Sequence, residues 1–177
     1  DVFATTLGLA ATDGHRAVVA RAPFNLEPGI HSVVVQQRSY DKPLADLTRS
    51  DFELPLLGDP PDVAQVIPDT DRMQVFEMDV DTARMIRTTK LADFAPSSAI
   101  PLIHLRLSDG TWHLGPPPER DGYAMFNAKY VREALLALNK DFRGESIPVY
   151  YDRKLAPILL GDRYGVQFHI IMPMRID

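Results

Sequence analysis

Apolar residues in this chain fall into short alternating or continuous runs separated by turn formers, the pattern of strands interrupted by a few helices. Leu7 to Ala11 and Ala17 to Ala22 bracket Thr12-Asp13-Gly14-His15-Arg16. Asp-Gly supplies the positive φ that a tight turn needs, so the segment reads as a β-hairpin. His31 to Gln36 is a β-branched strand. Pro43 suits the first turn of a short helix from about Tyr40 to Thr48, with Leu44 and Leu47 on one face. Phe52 to Leu57 reads as another strand. Gly58-Asp59-Pro60-Pro61-Asp62 then breaks the pattern, and polar Pro68-Asp69-Thr70-Asp71 marks a domain boundary, giving segments 1–68 and 69–177.

The second segment opens with a strand, Met73 to Met78, and a helix from Asp81 to Leu91 capped by Asp79 or Asp81. Ile103 to Leu107 alternates. A two-residue Asp109-Gly110 loop would pair Leu107 with Trp112 and Leu105 with Leu114, leaving Arg106 and His113 facing water. Asn127 caps a helix over about Ala128 to Asn139, with Val131, Leu135 and Leu138 as its apolar stripe. Strands Ile147 to Tyr151, Ala156 to Leu160 and Val166 to Met172 follow. This order predicts an α+β fold with helices on one face of antiparallel sheets, and residues 1–57 follow half of the same plan.

Composition narrows the chemistry. The 177 residues include no cysteine, which removes disulfides, thiolate nucleophiles and cysteine-ligated zinc, and suits a reducing compartment; a cytoplasmic location is expected. No uncharged apolar run is long enough to span a bilayer as a helix. The five histidines (His15, His31, His104, His113 and His169) never fall at the spacing that puts two ligands on one helix face. Asp13 and His15 flank a glycine without a nucleophile motif nearby, and there is no glycine-rich phosphate loop. Neither a metal, a cofactor nor catalysis is expected. The first residue is Asp1, and the chain is expected to be a piece of something longer.

Charge is unevenly placed. The predicted helix windows 38–49, 79–92 and 127–140 carry Arg38, Lys42, Arg49, Arg84, Arg87, Lys90, Lys129, Arg132 and Lys140, nine basic residues against five acidic ones. The rest of the chain carries ten against nineteen. Basic helices with acidic sheets and loops suit a protein that meets phosphates on one layer and repels them elsewhere, although a solvated helix face is charged for ordinary reasons too.

Three segments, Ala11-Thr12-Asp13-Gly14-His15-Arg16, Phe126-Asn127-Ala128-Lys129-Tyr130-Val131 and Ile170-Ile171-Met172-Pro173-Met174-Arg175, together resemble the bacterial β sliding clamp, the processivity factor of the replicative DNA polymerase. Pro61 to Pro68 also looks like the linker between that family's second and third domains. The resemblance covers essentially the whole chain, as about half of a second domain plus a trimmed third one. It implies a DNA-clamp-like α+β fold and a non-enzymatic tether of polymerase and clamp loader to duplex DNA. Members form homo-oligomeric rings with helices lining the hole, which would put the nine basic residues named above against phosphates without sequence preference.

The family's pocket receives a short peptide, typically a glutamine plus a hydrophobic pair. Carried over by motif, it implies Thr12, Gly14, His15, Arg16, Pro61, Val66, Asn127, Tyr130, Leu155, Pro157, Ile170, Ile171, Met172, Pro173, Met174 and Arg175 as peptide-binding residues. Ala17 stands where the family usually has a leucine, and Val63 to Gln65 replace an aromatic and arginine pair, which implies an altered pocket. The family's ring joint uses a first domain that this chain does not contain. The alternative is therefore a stand-alone peptide-binding regulator that does not encircle DNA. Strands near Val2 and Val33 are expected to lack partners, leaving an open edge, so that the chain is either a monomer or a weak self-associate.

Overall fold

The computed structural model describes residues 2–5, 8–20, 29–36, 44–49, 70–90, 93, 100–115, 121–138, 146–161 and 167–175, with positions 2–5, 8–9, 29–36 and 44–49 described by their backbone only. The strands are β1 (Val2–Thr5), β2 (Gly8–Thr12), β3 (Arg16–Ala20), β4 (Gly29–Gln36), β5 (Leu44–Arg49), β6 (Gln74–Met78), β7 (Leu102–Arg106), β8 (Trp112–Leu114), β9 (Tyr123–Asn127), β10 (Ile147–Tyr151), β11 (Ile158–Gly161) and β12 (Gln167–Ile171). Among the described residues two α-helices, α1 (Val80–Thr88) and α2 (Ala128–Leu138), accompany them.

Nine strands form one antiparallel sheet in the order β5-β4-β1-β2-β3-β12-β11-β10-β6, and three form a second in the order β8-β7-β9. The β2–β3 hairpin forms as the Asp-Gly signal predicts, with Gly14 at φ 85°. β3 then pairs with β12 over Ala20↔Gln167 to Arg16↔Ile171, so the large sheet runs through both halves of the chain. Of the boundary region, Thr70 and Asp71 begin a single 3-10 turn, Thr70–Arg72, while Pro68, Asp69 and the Phe52 to Leu57 strand lie outside the described residues.

Three expectations are corrected. The segment read as a helix over Tyr40 to Thr48 contains strand β5, paired with β4 from Gln36↔Leu44 to His31↔Arg49. The Leu44 and Leu47 spacing is too short a signal to outweigh a neighbouring strand that pairs along the whole six-residue run and takes up the backbone groups facing it. The strands near Val2 and Val33 do not lack partners: β1 lies between β2 and β4, and β4 lies between β1 and β5, which moves the sheet edge to β5. In the second segment the β7–β8 register is Leu105↔Trp112 and Ile103↔Leu114, two residues away from the expected pairing.

The register change has a local cause. The Arg106 N–H donates to the Thr111 carbonyl at 2.8 Å and the Gly110 N–H to the Arg106 carbonyl at 2.9 Å, so the loop holds four residues instead of two. Gly110 sits at φ 75° against the Phe76 ring, where a Cβ would lie 2.4 Å from Cγ. A shift of two leaves each side chain on its predicted face, so Ile103 and Leu105 are still buried. Arg106 and His113 are nevertheless half-buried: Arg106 Nε donates to the Tyr123 hydroxyl at 3.0 Å, and His113 meets the Tyr123 ring edge-on at 5.3 Å.

In the larger core cluster Ile86 of α1 and Val131, Leu135 and Leu138 of α2 pack with Phe126, Ile103, Leu105, Val149, Ile158 and Leu160 from the strands, and a smaller cluster gathers Ala10, Ala17, Val19, Leu159 and Ile170. Asp79 caps α1 by accepting from the Thr82 N–H at 2.8 Å, and Asn127 Oδ1 accepts from the Lys129 N–H at 3.0 Å at the start of α2. The two helices meet beside this core, where Arg132 Nε donates to the Arg87 carbonyl at 2.9 Å near the C-terminal end of α1. Among the described residues no helix is long and apolar enough to cross a membrane.

Candidate functional site

A groove of about 360 Å³ opens where the β2–β3 hairpin meets β12, beside the first turns of α2. Its apolar wall is Ala11, Ala17, Val18, Ala134, Ile170 and Ile171. Its polar side is Thr12, Asp13, Arg16, Tyr130, Glu133 and His169. The site arises from three local facts: a tight turn that brings Asp13 back toward Arg16, a helix that presents Tyr130 and Glu133 three residues apart on one face, and the alternation of β12.

Arg16 is the centre of the polar side. Its Nε bonds Asp13 Oδ2 at 3.0 Å, its Nη1 bonds Glu133 Oε2, and its guanidinium lies 4.5 Å from the centroid of the Tyr130 ring. Burial opposes its charge, but the hydrogen bonds and Coulomb attraction of Glu133 and Asp13 outweigh that cost and raise its pKa above the ordinary arginine value. Burial likewise raises the Asp13 pKa, while backbone donation from His15 and Arg16 and the Arg16 guanidinium hold it below the usual carboxylate range. Thr12 Oγ1 donates to the Arg16 carbonyl at 2.8 Å and accepts from the Gly14 N–H at 3.1 Å, which fixes the turn.

His169 is only 7% exposed, and its Nε2 lies 2.7 Å from Gln167 Nε2. Burial, with a smaller contribution from Arg16, lowers its pKa to about 4, so near neutral pH the ring is uncharged. No group of three His, Asp or Glu side chains among the described residues could hold a metal ion.

The groove brings together Thr12, Arg16, Tyr130, Ile170 and Ile171 of the residues expected from the sequence. His15 adjoins them, stacked on Tyr130 with ring centroids 6.4 Å apart, and Gly14 forms the turn beneath. Met172, Pro173, Met174 and Arg175 leave the groove's end: the Met172 N–H donates to the His15 carbonyl at 3.0 Å and the Met174 N–H to the Met125 carbonyl at 2.7 Å. Asn127 acts as the α2 cap, outside the lining. Leu155, 57% exposed, and Pro157 sit in the turn between β10 and β11 and do not line the groove either. Pro61 and Val66 lie outside the described residues.

Sequence reasoning missed Glu133 and His169 as groove residues, and read Asp13 as a turn residue only. The i, i+3 relation of Tyr130 and Glu133, and the alternation that puts His169 on the same face as Ile171, were the available signals.

Of the basic residues, Arg84, Lys90 and Lys129 are exposed on or beside the helix pair, and Arg84 bonds Asp81 at 3.1 Å. Arg87 and Arg132 are half-buried at the contact between the two helices. Arg49 ends strand β5 and belongs to no helix, which corrects the first of the three basic helix windows. Arg38, Lys42 and Lys140 lie outside the described residues.

Two antiparallel sheets, a pair of helices on one side and a groove at the seam define a DNA-clamp-like fold. Solved structures make the likeness specific: the chain has the fold of bacterial DNA polymerase III β subunits, the sliding clamps. The Thermotoga maritima subunit matches with a TM-score of 0.62 and 17% identity, over 96% of this chain and 54% of that one. The Streptococcus pyogenes subunit matches at 0.61 and 13%, over 99% and 57%. That of Borrelia burgdorferi, solved in complex with a natural product, matches at 0.61 and 15%, over 99% and 55%. This chain thus spans about half the length of these proteins. No family model and no curated protein matches the sequence.

Proposed function

We propose that this chain is a non-enzymatic, clamp-type binding protein that captures short peptides carrying a glutamine and a hydrophobic pair, of the kind a polymerase or clamp loader presents. One observation carries the reading: an apolar-walled groove with a polar side lies at the seam between β3 and β12, where the motif residues Thr12, Arg16, Tyr130, Ile170 and Ile171 converge. Val18, Ala134 and Ile171, on the side of the sheet that faces α2, would take the hydrophobic pair, and the rim groups would orient the peptide backbone. The Borrelia clamp's complex with a natural product is in keeping with a fold that accommodates small ligands.

Binding of a fluorescent peptide by the whole chain is expected at roughly micromolar strength, as suits a few buried anchors. Tyr130→Ala removes an aromatic wall and the surface on which Arg16 rests, and should weaken that binding by about 1 to 3 kcal/mol. Equal affinity for the variant and the unaltered chain would place the peptide elsewhere. The alanine exchange of Met172 and Met174 probes the segment beyond the groove in the same titration.

The helix pair supplies the second surface. Exposed Arg84, Lys90 and Lys129 would meet duplex phosphates in a salt-sensitive, sequence-blind way. The pairing of β1 and β4 on both sides favours the reading in which the chain captures peptides without encircling DNA, because the N-terminal strands find their partners within the same sheet. The chain alone is then expected to leave linear and circular duplex equally fast, with weak affinity that falls as salt rises. Persistent retention on closed circles, lost on linearisation, would instead establish encirclement.

A further inference from the structure

The groove's charge is unbalanced, and we infer that the peptide it captures carries a lysine or arginine next to the hydrophobic pair, held by Glu133. This inference rests on the peptide-capture reading above and adds the charge class of the ligand. Asp13, Arg16 and Glu133 are the charged side chains lining the groove among the described residues, two carboxylates to one guanidinium. Arg16 spends its Nε on Asp13 and one Nη on Glu133, and it is pinned over Tyr130, so it is committed to groups already there.

The two carboxylates are not equally engaged. Asp13 accepts from two backbone N–H groups through Oδ1, at 3.1 Å each, and from Arg16 Nε through Oδ2. Glu133 meets Arg16 through Oε2, and its Oε1 has no hydrogen-bond partner among the described residues. The Glu133 side chain is 41% exposed at the groove's rim, on the same helix face as Tyr130, so a ligand seated on the apolar wall passes directly beside an open carboxylate oxygen. His169 on the far side contributes no positive charge near neutral pH. A second cation therefore restores balance at that rim, whereas a carboxylate on the ligand would face two others.

The test uses the whole chain and three short labelled peptides that share a glutamine and a hydrophobic pair and differ in one flanking residue: lysine, glutamine or glutamate. At low salt the lysine peptide is expected to bind about two- to fivefold more tightly than the neutral one, with the glutamate peptide weakest, the scale of a partly exposed ion pair. The spread should shrink as salt shortens the screening length. Glu133→Gln should bring the three affinities together. If circular dichroism shows that variant to be unfolded, Asp13→Asn takes the other charge from the same rim and should also narrow the spread. Binding of the neutral peptide with no ranking, or with glutamate best, would overturn the charge assignment while leaving peptide capture standing. Failure of all three peptides to bind would overturn peptide capture and this inference with it.

Discussion

Replacing Phe126 with alanine is expected to lower the unfolding free energy by about 3 to 5 kcal/mol, the usual cost of emptying an aromatic site in a core that cannot collapse around it. Phe126 is fully buried and lies against Trp112, with ring centroids 6.2 Å apart at 48°. It sits on β9, the strand that runs into α2, within the cluster that joins the small sheet, both helices and the large sheet. Neighbours such as Leu135 and Ile103 are already fully buried and tied to separate elements, so none can move into the space without leaving its own. Urea unfolding followed by circular dichroism would measure the loss as a shift in midpoint at constant slope. A loss below about 1 kcal/mol would mean that the site relaxes and that this cluster is not the core's centre.

Acidification from about pH 7 to pH 4 is expected to destabilise the protein by up to about 3 kcal/mol through His169 alone. The folded pKa is about 4, against an ordinary histidine value of 6.5, because burial and the nearby Arg16 disfavour the imidazolium. Above 6.5 the ring is neutral in both states and contributes nothing to pH dependence. Between 6.5 and 4 the unfolded chain binds the proton and the folded chain resists it, so stability falls as pH falls. Below about 4 both states are protonated and this contribution levels off. The stability difference between the unaltered chain and His169→Gln, followed from pH 7 to pH 4, isolates the effect from carboxylates such as Asp79 that both proteins share. Parallel stability curves for the two proteins over that range would show that His169 titrates normally in the folded state.

Much of the fold was legible because local signals and tertiary demands agreed. Asp13-Gly14 in a turn, Asp79 and Asn127 at helix starts, and the Val131, Leu135 and Leu138 stripe each express a preference that the folded chain also uses. The errors fall where a short segment had two acceptable conformations. Leu44 to Arg49 satisfies a helical spacing and a strand, and β4 decided between them. The Asp109-Gly110 hairpin allowed two registers of the same facing. Packing of Gly110 against Phe76, far away in sequence, accompanies the longer loop.

The groove divides in the same way. The family resemblance of three motifs implied Thr12, Arg16, Tyr130, Ile170 and Ile171 among sixteen residues, and the absence of cysteine excluded thiol chemistry outright, because residue identity and motif order are properties of the chain itself. Glu133 acquires its relation to Arg16 only through the β3–β12 pairing and the seat of α2 beside it, which closes a separation of 117 residues. His169 is likewise an ordinary strand residue until burial takes water from it and lowers its pKa. Electrostatics depends on distance and dielectric, and neither exists along a sequence until the core has formed. The alternation of apolar residues therefore determined which elements this protein has, whereas the charge that its groove presents was decided by which elements came to lie side by side.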